Sequence, residues 1–275
     1  MSSSLPLSTV IETLDGLWPP AGAEEWDAVG LVVGARSQHV THIRLVVDVV
    51  RATVDEAISD GADLIVSHHP LLLRGVTSVA EDHYKGALVA DLIRARVGLY
   101  SAHTNADAVD VGTSEVLARA LDIGEMSPII EGLDEDSGIG RAGVLAKPIR
   151  LYDLATTLGR LVPQTAGGIR VSGDPDQMVS RVALCTGAGD SLLNHPLVQA
   201  ADVYITGDLR HHPVSEVQQQ RLHESGPALI DVSHFASEWF FLDQVKAELE
   251  ARLPGVTISV SEVVTDPWDF VIHPS

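Results

Sequence analysis

A short stretch that occurs twice constrains the fold more than any other feature of the sequence. Residues 62–70 read ADLIVSHHP, and residues 201–213 read ADVYITGDLRHHP. Each copy begins with Ala-Asp, continues through an apolar run that predicts a short buried strand, and ends in His-His-Pro. Strand and helix patterns surround both copies in the same order, which indicates an internal repeat. The predicted fold class is therefore α/β, with two similar halves whose mostly parallel sheets are flanked by helices.

The two halves are predicted at residues 1–126 and 127–275. Residues 43–67 predict a strand, a helix and a second strand in succession, which is a βαβ unit with parallel pairing. Residues 192–200 predict the matching helix of the second half. A segment rich in glycine and acidic residues, 127–140, is the predicted boundary between the halves.

The charge balance limits the partners of the chain. Lysine and arginine number 18 against 38 acidic residues, for a net charge of -20, which argues against binding nucleic acid or an anionic membrane surface. No apolar run approaches the roughly 20 residues of a membrane-spanning helix, and no secretory signal pattern opens the sequence. A single cysteine, Cys185, excludes an intrachain disulfide and is expected in a buried strand. These observations predict a cytoplasmic location.

Two adjacent histidines, His68 and His69, follow the predicted strand of the first motif. Ligands of open α/β sheets bind beyond the carboxyl ends of the strands, so both imidazoles are expected at such an edge. Pro70 favours an extended conformation of the residue before it. The pair can bind a metal, although two adjacent histidines, taken alone, are more often structural than metal ligands.

A histidine followed four residues later by an acid occurs in both halves, as His103 with Asp107 and as His234 with Glu238. At the start of a helix this spacing places an imidazole and a carboxylate on one side. Mixed imidazole and carboxylate ligands suit zinc, iron or manganese, and carboxylates can bridge two ions roughly 3.5–4 Å apart. The alternative explanation for each acidic residue, taken alone, is that its negative charge is stabilised by the N-terminus of a helix rather than by a metal.

The second His-His-Pro motif leaves several interpretations open. Asp208, His211 and His212 could support metal ligands, act as a general acid or base, or be outer ligands, and an exposed helix start explains them equally well. Residues 186–191 (TGAGDS) form a glycine-rich turn of the kind that can hold a phosphate. The turn lacks the lysine of a P-loop and the full dinucleotide-binding fingerprint.

Six motifs follow one another along the chain: WDAVGLVVG, ADLIVSHHP, HTNADA, GIGRAG, TGDLRHHP and DVSHFASE. In this combination the sequence resembles, over nearly its whole length, the dinuclear-metal-centre hexameric family of Nif3-like proteins, the GTP cyclohydrolase 1 type 2 homologues. It looks like the compact form, without a large inserted middle domain. The resemblance implies two similar α/β halves and a toroidal homohexamer whose internal cavity is lined by pairs of metal ions.

The resemblance also implies a ligand set. It assigns two divalent ions per chain, with zinc, iron and manganese all open, to five residues: His68, His69, Asp107, His234 and Glu238. His103 would lie beside the ions and His212 near them, and either would serve as the proton shuttle. One departure is Ala28, where the family often has asparagine after Trp-Asp.

The reaction that the resemblance implies is hydrolytic opening of the GTP imidazole ring with release of formate, in which divalent ions activate water. Two alternatives stay open. One is a metal-handling or metal-delivery protein without turnover, which would use the same ligands. The other is a two-metal phosphoesterase, which the lack of a basic cluster near the motifs disfavours. A catalytic site differs from a storage site in keeping an open coordination position and a substrate pocket.

Overall fold

We describe a computed structural model of the protein, which covers residues 4–133 and 136–274. The chain divides into two compact units, Met1–Ala108 with Leu242–Thr265, and Val109–Phe241 with Asp266–Ser275. Each unit contains a sheet flanked by helices, so the predicted α/β class is confirmed. Within the described part of the chain, no helix is both long enough and apolar enough to cross a membrane.

The helices and strands are as follows. The α-helices are α1 (Leu7–Leu17), α2 (Arg51–Ser59), α3 (Tyr84–Ala95), α4 (Thr104–Asp107), α5 (Thr113–Ala120), α6 (Leu151–Leu161), α7 (Pro196–Gln199), α8 (His211–His223), α9 (His234–Trp239) and α10 (Phe241–Arg252). The strands are β1 (Leu5–Pro6), β2 (Gly30–Val33), β3 (His39–Val40), β4 (His42–Val46), β5 (Leu64–Ser67), β6 (Gly98–Ser101), β7 (Ile123–Glu131), β8 (Gly138–Arg150), β9 (Arg170–Ser172), β10 (Met178–Ala188), β11 (Val203–Gly207), β12 (Ala228–Asp231) and β13 (Thr257–Val260). Short 3-10 turns occur at Pro20–Gly22 and Asp190–Leu192.

The sheet of the first unit has the strand order β13-β4-β5-β6-β2, in which only β2 runs antiparallel to its neighbour. Helices α2 and α3 connect its central strands. Val54 of α2 and Leu92 of α3 are fully buried and share one core cluster with the strand residues Ile65 and Leu99. Burial of each such side chain stabilises the unit by about 1.5–3 kcal/mol. This packing brings the carboxyl ends of β4, β5 and β6 to one edge of the sheet.

The sheet of the second unit has the order β7-β8-β10-β11-β12-β9. Strands β10, β11 and β12 are parallel, whereas β7, β8 and β9 pair antiparallel, so this sheet is mixed rather than mostly parallel. Its core contains Ala183, Tyr204 and Leu229 from the parallel strands, with Val198 and Val217 from the helices. The order β10-β11-β12 corresponds to the order β4-β5-β6 of the first sheet. In each sheet an antiparallel strand pairs with the last of the three parallel strands: β9 with β12, and β2 with β6.

One hydrogen-bond pattern recurs in both units and explains the Ala-Asp that opens each motif. In the first unit, Asp63 Oδ2 accepts hydrogen bonds from two backbone N–H groups at residues 41 and 42, at 2.7 and 3.1 Å. In the second, Asp202 Oδ2 accepts from the N–H groups of residues 180 and 181, at 2.9 and 2.8 Å. Each aspartate therefore fastens the start of its strand to the start of the neighbouring parallel strand. This equivalence supports the predicted internal repeat.

The same comparison corrects one alignment of the two halves. The backbone N–H of residue 102 and that of residue 232 each donate, at 2.9 Å, to the carbonyl of the equivalent residue in the preceding parallel strand. These bonds align His103 with Ser233 and place His234 one position later. The predicted match of His103 with His234 was therefore wrong by one residue, because equal letters in the motifs do not fix the strand register.

Two predicted segments differ from the structure. The helix predicted at residues 192–200 is wrong, because only Pro196–Gln199 is α-helical. A proline disfavours helical geometry in the residue before it, and His195 is accordingly extended and caps α7. The predicted boundary segment at 127–140 is largely strand, since β7 ends at Glu131 and β8 begins at Gly138; residues 134–135 lie outside the described residues. The halves predicted at 1–126 and 127–275 stay a prediction about the repeat, whereas the compact units divide the chain elsewhere.

Candidate metal centre

His68 and His69 lie directly beyond the carboxyl end of β5. Their backbone N–H groups donate to the carbonyls of Val46 and Val47, at 3.0 and 2.8 Å, which keeps this segment beside the end of β4. Ser67 Oγ donates to the carbonyl of His69 at 2.9 Å, a local bend that interrupts the alternation of side chains along a strand. The two ring centroids are consequently only 5.0 Å apart. The adjacent imidazoles thus point into the same region, as expected from the sequence.

Each of these rings is oriented through its Nδ1 atom. His68 Nδ1 lies 3.0 Å from the carbonyl oxygen of Ala102, and His69 Nδ1 lies 2.8 Å from Asp48 Oδ1. Asp48 also accepts a hydrogen bond from Thr265 Oγ1, which fixes the carboxylate. A carbonyl or carboxylate oxygen can only accept, so the proton resides on Nδ1 and the lone pair on Nε2. This is the arrangement in which proteins present histidine to a metal.

His103 and Asp107 complete the polar group of the first unit. The His103 ring centroid lies 5.3 Å from that of His68 and 5.5 Å from that of His69. One nitrogen from each of these three rings lies within 4.8 Å of the others, so the three histidines could hold a metal ion. Asp107 Oδ1 is 3.7 Å from His68 Nε2. The first unit therefore brings together all three of its predicted ligands, with His103 beside them.

Asp27 is a residue of the candidate site that the sequence reasoning missed. Its fully buried carboxylate lies 2.9 Å from His103 Nδ1 and also accepts hydrogen bonds from the backbone N–H and the hydroxyl of Thr104. Burial alone would raise the pKa of Asp27, but the hydrogen bonds from His103 and Thr104 hold that pKa well below its usual range. The carboxylate is thus ionised and holds the His103 ring through Nδ1. The available signal was the Trp-Asp pair of WDAVGLVVG, to which no role was assigned.

His234 and Glu238 form the polar pair of the second unit. Both lie in α9, which Ser233 caps through its hydroxyl, and the i,i+4 spacing places His234 Nε2 3.1 Å from Glu238 Oε1. Glu238 is buried. His234 Nδ1 lies 2.7 Å from Asp208 Oδ2. Asp208 therefore orients the histidine, one of the roles that its sequence position left open.

The backbone around this pair is adapted to it. Asp208 has a φ of 56°, a left-handed conformation that aspartate tolerates better than most residues. Gly187, in the glycine-rich turn, has a φ of +66°, and a Cβ atom there would lie 2.4 Å from Glu238 Oε1. Its N–H donates to Ser237 Oγ at 2.9 Å. The glycine of this turn thus makes room for the Glu238 carboxylate.

The remaining predicted residues have different surroundings. His211 and His212 are exposed in the first turn of α8, with their ring centroids 5.2 Å apart. Helix α8 starts earlier than its apolar pattern indicates, since Pro213 fits a first turn, where its missing N–H is not needed. The role of His212 as a proton shuttle stays a prediction. Cys185 is buried in β10, as expected.

The donor atoms fit a first-row divalent metal. Imidazole nitrogens with fixed tautomers and nearby carboxylates suit zinc, iron and manganese better than calcium or magnesium, which prefer oxygen ligands. Gly187 leaves space beside the carboxylate of Glu238, which is a candidate ligand. Histidine and glutamate groups that could hold a metal ion are therefore present in this protein.

Comparison with known proteins covers nearly the whole chain. The family model Duf34/NIF3 (NGG1p interacting factor 3) matches residues 5–267. A Streptomyces coelicolor protein named GTP cyclohydrolase 1 type 2 homolog is 45% identical over 269 residues, which are 95% of this chain and 93% of that protein. A Clostridium perfringens protein of the same name is 32% identical, covering 97% of this chain and 100% of its own. The crystal structure of a hypothetical protein from Staphylococcus aureus has a TM-score of 0.85 at 26% identity, covering 97% and 99% of the two chains.

Proposed function

Because the chain belongs to the Duf34/NIF3 family, as the motifs predicted, we propose that it binds two divalent metal ions and acts as a hydrolase. The proposed ligands are His68, His69, Asp107, His234 and Glu238. The observation that carries the proposal is the orientation of the histidines: a carbonyl or carboxylate oxygen holds Nδ1 of His68, His69 and His234, and Nε2 of His234 faces the proposed ligand Glu238, whose Oε1 lies 3.1 Å away.

The candidate reaction is opening of the GTP imidazole ring with release of formate, since relatives of this chain are named GTP cyclohydrolase 1 type 2 homologues. When bound, divalent ions supply Lewis acidity that activates water and stabilises developing negative charge. His103 takes up and returns a proton at Nε2, because the ionised carboxylate of Asp27 holds Nδ1. Asp48 and Asp208 keep two ligand rings in position.

The assembly is proposed from the family resemblance. We expect a homo-oligomer, specifically a hexamer with a mass in solution six times the chain mass of 29.3 kDa, located in the cytoplasm. Light scattering on the purified protein measures this mass directly, and a monomer would contradict the expectation.

The metal proposal is tested by changing Glu238 to glutamine, which keeps the volume of the side chain and removes its charge. We expect the Glu238→Gln variant to lose at least one metal ion per chain, measured by elemental analysis, with an unchanged circular dichroism spectrum. The exposed Glu224 supplies the matched control, Glu224→Gln, which should keep the full metal content. Equal metal content in both variants would refute the ligand assignment.

The hydrolase proposal is tested separately by incubating the metal-loaded protein with GTP and measuring formate. We expect formate release that is absent from the Glu238→Gln variant and reduced in His103→Ala. Full metal content without formate would contradict the hydrolase and favour the metal-handling alternative. Release of inorganic phosphate without formate would favour the phosphoesterase alternative.

A further inference from the structure

Trp26 is held on a rigid loop although its side chain is largely exposed. The residue is 59% exposed to solvent. Its neighbour Asp27 anchors the loop through the hydrogen bonds from His103 and Thr104, and Asp27 Oδ1 also accepts from the N–H of Ala28 at 2.7 Å. On the other side of Trp26, the N–H of Glu24 donates to Thr104 Oγ1 at 3.0 Å. The backbone is therefore anchored on both sides of Trp26.

The position of the indole is defined relative to the candidate proton shuttle. The centroids of the Trp26 and His103 rings are 5.9 Å apart, with an angle of 77° between the ring planes. This edge-to-face contact involves only one side of the indole, which leaves a large apolar surface in water. A tryptophan of this exposure contributes little to the core of its unit, yet five hydrogen bonds around Asp27 and Thr104 hold its loop.

We propose that Trp26 is a stacking platform for a planar heteroaromatic ring of the ligand and places that ring beside His103. The proposal rests on the proposed function, in which the ring is the guanine base of GTP. Stacking on an indole requires a flat π surface on the ligand, and it does not require the ligand to carry a charge.

The chemistry of the indole points to the base as the part of the ligand that is recognised at this position. Three carboxylates, Asp27, Asp48 and Asp107, lie next to the histidine cluster, and divalent ions are proposed to bind there. Stacking of a neutral ring does not depend on the charge of these groups or of the ions. Affinity for the base is therefore expected to come largely from the Trp26 surface.

The test uses guanosine, which carries the base without phosphates, and ribose 5-phosphate, which lacks the base. We expect guanosine to quench the tryptophan fluorescence of the metal-loaded protein saturably, and calorimetry to give its Kd. Trp26→Ala should weaken guanosine binding about five- to a hundredfold, the usual effect of losing one base-stacking aromatic. Trp26→Phe should keep the affinity and lose the quenching. Ribose 5-phosphate should bind all three proteins alike.

Tyr84→Ala provides the control, because Tyr84 is an aromatic residue of the same unit with 68% exposure. It should bind guanosine like the wild type. Equal guanosine affinity of Trp26→Ala and the wild type would overturn the proposal, as would the absence of saturable binding to the wild type. A change in the mass in solution of Trp26→Ala without a change in affinity would also overturn it and assign this surface to contacts between copies of the chain.

Failure of the proposed function gives a different result. If the protein releases no formate from GTP but guanosine binding still depends on Trp26, the stacking platform stands and the hydrolase does not. If formate is released and Trp26→Ala keeps the wild-type KM for GTP, the hydrolase stands and the platform does not.

Discussion

The aspartates behind the histidines are the least predictable part of the site at the scale of single residues. Asp48 precedes His69 by 21 residues, and Asp27 precedes His103 by 76. The histidines themselves were predictable, because each follows an apolar run that reads as a strand. Their partners were not, since local spacing carries no information about contacts made after the sheet has formed.

Gly187 provides a residue-scale prediction about metal binding. We expect Gly187→Ala to lose metal, because its Cβ would lie 2.4 Å from Glu238 Oε1 and displace the carboxylate. Gly61→Ala is the control, since Gly61 has a similar φ of +68° but no atom within 4 Å of an added Cβ. Both changes strain the backbone by about 1 kcal/mol, so only Gly187→Ala should lower the metal content measured by elemental analysis. Equal metal content in Gly187→Ala and Gly61→Ala would contradict the assignment of Glu238 as a metal ligand.

Asp208 provides a second prediction at the same scale. Asp208→Asn removes the charge that holds His234 Nδ1, so metal affinity should fall about 10- to 100-fold, as for other residues that orient metal ligands. Asp122→Asn is the matched control, because Asp122 is exposed and has the same φ of 56°. Competition with a zinc indicator measures both affinities. A loss of the same size in the control would assign the effect to the backbone.

At the scale of secondary structure, the paired aspartates Asp63 and Asp202 explain why both motifs begin alike. The apolar periodicity predicted β5 and β11 and the helix α2 close to their observed bounds. It did not predict the antiparallel hairpin of β7 and β8, because glycine and acidic residues there indicated a loop. Pairing between neighbouring strands depends on long-range partners, which sequence periodicity does not report.

Asp202 gives a pH-dependent prediction for this element. Burial acts to raise its pKa, but hydrogen bonds from Arg181 and from the N–H of Ser180 lower the pKa below the usual value. The stability that Asp202 contributes is therefore present above the unfolded-state pKa of about 4 and is lost as the pH falls through the folded-state pKa. We expect Asp202→Ala to lower the free energy of unfolding by about 1–3 kcal/mol at pH 7 and by less at pH 3.

Urea denaturation at the two pH values measures this difference. The exposed Asp82 supplies the control, since Asp82→Ala should change the free energy of unfolding by less than about 0.5 kcal/mol at either pH. A pH-independent loss in Asp202→Ala would show that packing rather than the ionised carboxylate is responsible.

At the scale of the whole molecule, the C-terminal segment exposes several large apolar side chains. Trp268, Phe270 and Ile272 alternate along it and are each more than 70% exposed. Exposed apolar surface of this kind marks contacts with other molecules, and the proposed homo-oligomer offers copies of the chain as partners.

The corresponding prediction concerns assembly. Removing residues 268–275 should lower the mass in solution measured by light scattering, because the apolar contacts between copies are lost. A full-length variant with serine at positions 268, 270 and 272 controls for chain length and should behave in the same way. An unchanged mass in both variants would show that the segment plays no part in assembly.

The pairing of β13 with β4 joins residues that are 215 positions apart in the sequence, since Thr257 lies opposite His42. During synthesis on the ribosome, the first unit therefore lacks one edge of its sheet until residues 257–260 have emerged. Its β4 edge is exposed for that period and is available for wrong pairing with other nascent chains. Premature termination would leave that edge permanently open, so shortened products should depend on chaperones or be degraded.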